Sequence, residues 1–286
     1  MGAFLRFLPS AFFALLVIAI GLSACSLQLR PSSPNPPPLV GPQAFILREN
    51  PVTTAPIANF LSQAQIRQQA KERLETLITK QRFLGRKIML AGDSDARYQR
   101  LNSLFERVRS VSHLAESDVV PILIDAPSFE AYTFGGREVI FHTGLSERLG
   151  DDALAFVIAH ELAHIAAGHV SEASSLKVIN IESPIGSVRR SDLYSYSHEK
   201  EADKIAIVYL LLAGFASESA LSLWQEMAKS SKNSIYDLFA ATHPATEDRA
   251  RALQENAQLF TKESVRFKPN NLLNCNPLYC NPAIRD

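Results

Sequence analysis

The 286-residue chain has no excess charge of either sign, since 29 Lys and Arg balance 29 Asp and Glu. There is no basic stripe of the kind a nucleic-acid surface requires and no acidic tail to recruit a basic partner, so no nucleic-acid partner is expected. Internal repeats are absent. Cysteine is scarce, with three in the chain. Cys275 and Cys280 have no second Cys or His pair beside them, which argues against zinc ligation there. In an oxidising compartment they form an even pair, and a disulfide closing so short a loop is a local staple. Long apolar runs are also lacking at the N-terminus. Ala11 to Leu22 is apolar but short of the ~20 residues a spanning helix needs, and it has the length of a signal-peptide core.

What is present at that end is Leu22-Ser23-Ala24-Cys25, small residues followed by a thiol. The run resembles a bacterial lipobox, which implies lipid on Cys25 and attachment to a membrane through that lipid. Ser26 in place of Asp, by the same resemblance, favours the outer membrane over the inner one. An ordinary signal peptide, or a short anchor helix in which Cys25 is incidental, is the alternative reading. Residues 31–56 then hold half of the chain's 16 prolines. Pro34-Asn35-Pro36-Pro37-Pro38 lacks the donors for a helix or a central strand and reads as an extended tether. The expected organisation is a signal peptide over 1–24, a Pro-rich tether over 25–56, a folded domain over 57–265 and an irregular tail over 266–286.

With about 47% hydrophobic residues, the domain can build a sizeable core. Ile66, Leu74, Leu77 and Ile78 recur at helical spacing, and Leu101, Leu104, Phe105 and Val108 repeat the theme. Val119 to Ile124 reads as a strand, with Pro121 placing it near an edge or a strand start. Phe129 to Phe134 and Glu138 to Phe141 flank Gly135-Gly136 as a hairpin. Asp151-Asp152 open a helix running to about Gly168, their charges suiting its positive end. Ser171 to Ser197 has no clear period and reads as a long loop. Helices are expected over His198–Ala213, Ser217–Ser230 and Thr246–Phe260. The predicted fold class is α+β, mainly helical, with a small antiparallel sheet beside the central helix.

His160-Glu161-Leu162-Ala163-His164 lies inside that helix. Residues four apart share a face, so two imidazoles can grip one zinc ion from the same side. Glu161 is rotated one position and can face a water at the metal, whose pKa zinc lowers towards ~7. Two satisfied histidines on a partly buried helix are the bland alternative. A catalytic zinc needs three protein ligands and one open position. Glu199-Lys200-Glu201-Ala202-Asp203 begins the next long helix, where Glu199 can supply the third ligand. Asp203, on the same face, can accept the free ring N–H of a ligating histidine. Glu201 points elsewhere and reads as solvated. A three-histidine site of the metzincin kind would need Gly at 167 and His at 170, where the chain has Ala167 and Val170, so His169 reads as structural.

The His-Glu-x-x-His helix followed by Glu-x-Glu-Ala-Asp resembles the M48 metallopeptidases. The resemblance runs from about Ala131 to Arg249. It includes Ala131 to Gly136, Phe141 to Leu145, and His243-Pro244 followed by Arg249. It implies a zincin-like fold, one zinc ion per chain held by His160, His164 and Glu199, and Glu161 as catalytic residue. With no multiple spans, the chain looks most like the family's periplasmic lipoproteins. That implies an endopeptidase of the outer membrane, facing the periplasm, with unfolded or misassembled envelope proteins as substrates. An extended substrate would pair beside Tyr132 to Phe134. The family's motif also makes His243 a possible inhibitory fourth ligand, a buried histidine before a proline turn being the other reading. Tyr196 stands where the family has arginine, and its hydroxyl is one candidate donor to an oxyanion. A chaperone or assembly-type lipoprotein that binds outer-membrane proteins with a latched or idle zinc site is the alternative function.

Overall fold

The computed structural model describes residues 47–50, 52–53, 56–58, 61–179, 195–230 and 234–260. The expected signal peptide, Cys25, most of the expected tether and the tail with Cys275 and Cys280 lie outside the described residues. In chain order the elements are strands β1 Leu47–Glu49 and β2 Pro56–Ala58, then helix α1 Gln63–Phe83, β3 Ile88–Met89, α2 Ala96–Arg109, β4 Val120–Ile124, β5 Ala131–Thr133 and β6 Glu138–His142. The short α3 Thr143–Ser146 follows, then α4 Asp151–Ala166, α5 His169–Ile179, α6 Tyr196–Leu212, α7 Glu218–Lys229, α8 Asp237–Thr242 and α9 Glu247–Leu259. No helix among the described residues is long and apolar enough to cross a membrane.

The mainly helical α+β class expected from the sequence is found, with one difference in the sheet. Its order is β3-β4-β6-β5, and β4 pairs with β6 in parallel while the other pairings are antiparallel. The reason is topological. The β5–β6 hairpin reverses the chain, and β6 rather than β5 lies beside β4, so the two strands run the same way. At the hairpin, Gly135 has φ 79°, and a Cβ there would meet Val170 Cβ at 2.6 Å, so the turn needs glycine for its backbone and for its close packing on α5. At the β6–α3 junction a Cβ on Gly144 would come 2.0 Å from the Pro127 carbonyl oxygen.

Two other expectations give way. The extended tether was drawn to residue 56, but β1 and β2 already pair antiparallel, Leu47 with Ala58 and Glu49 with Pro56. Proline is tolerated as the first residue of a strand. Between them Asn50 Oδ1 accepts from Val52 N and Thr53 N, closing a side-chain turn. The loop expected from Ser171 begins instead as α5. Its buried residues include Val170, Ala173 and Ser174, small side chains that leave no apolar stripe for a periodicity argument to catch. Residues 180–194 of that segment are outside the described ones.

The core explains why α4 sits where it does. Every residue from Ala153 to His164 is buried, and a helix apolar nearly all round belongs at the centre of a domain. It packs against α2, α6, α7 and β5. Phe156 meets Trp224 of α7 edge-on at 5.0 Å, and Trp224 meets Phe239 of α8 at 5.9 Å. These aromatics pin the helices around the one polar stretch that α4 carries.

Candidate metal centre

Three elements bring side chains to one point. α4 supplies His160, Glu161 and His164. α6 supplies Glu199 and Asp203 from its first two turns, after Ser195 caps it in a reciprocal hydrogen-bond pair with His198. His243 comes from the C-terminal end of α8, where Pro244 disfavours helical geometry for the residue before it; its backbone has φ −131° and ψ 76°. Only His243, Pro244, Ala245 and Thr246 separate α8 from α9, and Thr246 caps α9 through the Arg249 amide.

His160, His164, Glu199 and His243 form a buried group whose ligand atoms all lie within 4.8 Å of one another. His160 Nε2 is 3.0 Å from His164 Nε2 and 3.3 Å from His243 Nδ1. The Glu199 oxygens lie 3.4 Å from each of the first two and 3.1 Å from His243 Nδ1. A tetrahedron of ligands at ~2.0–2.1 Å, the zinc distance to nitrogen and carboxylate oxygen, has edges of about 3.3–3.4 Å. The observed separations come close to those edges. Charge points the same way. With the histidines neutral, as metal ligands are, the buried carboxylates Glu161, Glu199 and Asp203 face one buried guanidinium among the described residues, Arg249, a formal deficit of two charges that one divalent cation would fill. The donor set and its charge therefore fit a dication held by nitrogen and oxygen.

The surroundings orient these groups. Asp203 Oδ1 lies 3.0 Å from His160 Nδ1, within ion-pair reach though off ideal hydrogen-bond geometry. Arg249 donates from Nε and Nη2 to the two Asp203 oxygens at 2.9 Å each, from Nη1 to the Pro244 carbonyl at 2.8 Å, and sits 2.9 Å from Glu199 Oε2. It therefore ties the α6 carboxylates to the chain just after His243. Burial by itself would lower the His160 pKa, but Asp203 and Glu199 outweigh it and bring it to about 9. Burial pushes Glu199 up, and His243 and Arg249 more than reverse this, holding it well below the usual carboxylate range. Burial raises Glu161, with His243 and His160 opposing. Neither Glu161 oxygen has a hydrogen-bond partner; His243 Nε2 lies 3.2 Å from Oε1 but without hydrogen-bond geometry.

The sequence reading of three residues changes. Glu201 is not simply solvated: it accepts from His169 Nε2 at 3.1 Å and from Asn50 Nδ2 at 3.0 Å. His169, read as structural, places its Nδ1 2.9 Å from His164 Nδ1. Tyr196 donates to Asp248 on the surface, with Lys200 over its ring, and is 46% exposed, so its hydroxyl is engaged away from the buried group. Sequence reasoning had matched Arg249 to a motif without giving it a task. The signal available was its place six residues after His243, but not the two carboxylates it would meet.

A His-Glu-x-x-His helix packed on a helix that delivers a carboxylate is the constellation of the zincin metallopeptidases. Residues 95–189 match the model of Peptidase family M48. Glu199 and His243 lie beyond the matched residues and join the site through their geometry. The mitochondrial metalloendopeptidase OMA1 of Schizosaccharomyces pombe is 28% identical over 173 residues, covering 54% of this chain and 51% of that one. The OMA1 of Arabidopsis thaliana is 25% identical over 161 residues, covering 51% and 33%. The protein named "Putative beta-barrel assembly-enhancing protease" of Vibrio cholerae is 25% identical over 189 residues, covering 56% and 39%. The chain thus spans about half or less of the length of these relatives.

Proposed function

We propose that the protein is a zinc-dependent endopeptidase of the bacterial cell envelope, anchored at the outer membrane through lipid on Cys25 and facing the periplasm. Its substrates are misfolded or misassembled envelope proteins. The observation that carries the reading is the convergence of His160 Nε2, His164 Nε2 and Glu199 beside a buried carboxylate, Glu161, that makes no hydrogen bond. The names of the relatives support a protease, and that of the Vibrio cholerae protein supports an envelope setting.

His160, His164 and Glu199 would hold the zinc ion, with Asp203 orienting His160. Zinc, when bound, supplies a Lewis acid that polarises a carbonyl and acidifies a water. Glu161 takes a proton from the attacking water and later delivers it to the leaving amine. β5, one of the two edge strands in the sheet order, is where an extended peptide would add as a further strand with little sequence demand. Casein incubated with the purified chain should be cut, and a chelator should stop the cutting until zinc is restored. Equal digestion with and without chelator would rule the zinc mechanism out.

One observation favours a resting state in which the site is closed. His243 Nδ1 occupies the fourth corner of the ligand group, and its Nε2 faces Glu161. The ring therefore fills the place that the water and the substrate carbonyl must share. This keeps the chaperone or assembly-type reading in play for the resting protein. His243→Ala should raise casein cleavage several-fold at unchanged zinc content, because an open position replaces the imidazole. An unchanged or lower rate would remove the latch.

A further inference from the structure

Building on the metal site just proposed, we propose that His169 is a positioning residue for His164, fixing its tautomer through a buried hydrogen-bond chain that ends on Asn50 of the N-terminal turn. Each link has only one possible direction. If His164 offers Nε2 to the metal, its proton stays on Nδ1. That atom is 2.9 Å from His169 Nδ1, which must then accept. The His169 proton is thereby placed on Nε2, 3.1 Å from Glu201 Oε2, which can only accept. The second Glu201 oxygen takes a hydrogen bond from Asn50 Nδ2 at 3.0 Å. Asn50 cannot flip its amide, because its Oδ1 already accepts from Val52 N and Thr53 N.

The rings are also held in plane. His198 stacks on His169 at 4.5 Å with an 11° tilt, and His198 is itself fixed by Glu172 at 2.9 Å and by the Ser195 amide. His169 is fully buried, Asn50 is 1% exposed and Val52 is packed into the core. The two α4 ligands therefore have different supports. His160 has the Asp203 carboxylate directly. His164 has an imidazole between itself and its carboxylate, and that carboxylate is clamped by the segment joining β1 to β2. The N-terminal turn thus acts on the metal site from a distance, through three side chains.

The test is zinc affinity, read by competition with a chromophoric chelator on the full chain, with circular dichroism to check folding. Loss of an orienting partner costs about 10–100-fold in metal affinity, so His169→Phe should bind zinc that much more weakly, while His169→Gln, which keeps one acceptor and one donor, should stay within about threefold of the parent. Asn50→Ala should weaken zinc binding in the parent but have no further effect in the His169→Phe background, because the chain it acts through is already cut. Should His169→Phe fail to fold, Glu201→Leu takes its place, since that side chain reaches the surface at 25% exposure. Parent-like affinity in the Phe (or Leu) variant, a Gln variant as weak as the Phe one, or an Asn50→Ala loss that persists in full would each overturn the proposal. A parent chain that binds no zinc at all would instead sink the metal reading on which it rests.

Discussion

Glu161→Gln should lower peptide cleavage by about 10²–10⁴-fold, the usual contribution of a positioned general base, while zinc remains bound. The two halves of that expectation have separate structural grounds. Zinc retention follows because Glu161 lies outside the ligand group of His160, His164, Glu199 and His243. Loss of cleavage follows because the amide is isosteric but has no basic oxygen for the proton. The residue is fully buried and its carboxylate makes no hydrogen bond, so no structural network is lost with the charge. Its pKa is pushed up by burial, towards the range in which a carboxylate can both take and return a proton. Zinc content by atomic absorption and casein turnover on the same sample separate the two halves. Full residual cleavage by the zinc-loaded variant would end the assignment of Glu161.

Arg249→Met should destabilise the fold by about 3–5 kcal/mol, the typical cost of removing one partner from a buried ion pair. Arg249 is completely buried, so solvent does not screen the effect. Three favourable contacts go at once: the two-pronged bond to Asp203, the approach to Glu199 and the bond to the Pro244 carbonyl. Methionine fills much of the volume, but leaves the two α6 carboxylates facing each other's field with less positive charge. The loss should be smaller with zinc present than with zinc removed, because the metal neutralises Glu199 in part. Urea unfolding with and without chelator measures both numbers. A loss below about 1 kcal/mol in the zinc-free protein would show that Arg249 contributes little to holding the site.

Much of this was legible in the sequence, for physical reasons that differ by residue. His160 and His164 share a helix face by arithmetic alone, and an apolar helix around them had to be central. Glu199 and Asp203 are likewise four apart, so either both face the histidines or neither does. The helices α1, α2, α4, α6, α7 and α9 carried apolar spacing, caps or terminating glycines. What escaped was held together by contacts between distant residues. α5 has small and polar buried residues and no apolar stripe. The parallel β4–β6 pairing is a matter of which strand lies in the middle, which no local pattern encodes. Glu201 looked like a surface charge because its partners, Asn50 and His169, lie 151 and 32 positions away. Tyr196 was legible as a departure from a motif, but its turn outward to Asp248 was not.

If His243 latches the centre as proposed, the four-residue joint between α8 and α9 sets its tempo. His243 is not a surface side chain that can swing clear by rotating about χ1. Its amide is bonded to the Phe239 carbonyl, its ring lies against Phe239 at 4.8 Å, and the next carbonyl is gripped by Arg249. Withdrawing the imidazole therefore means shifting two helix ends and breaking backbone bonds. Motions of that kind run in microseconds to milliseconds, against picoseconds to nanoseconds for an exposed rotamer flip. Exposure of the centre would come in slow, collective openings, and a substrate that arrived between them would meet a shut door.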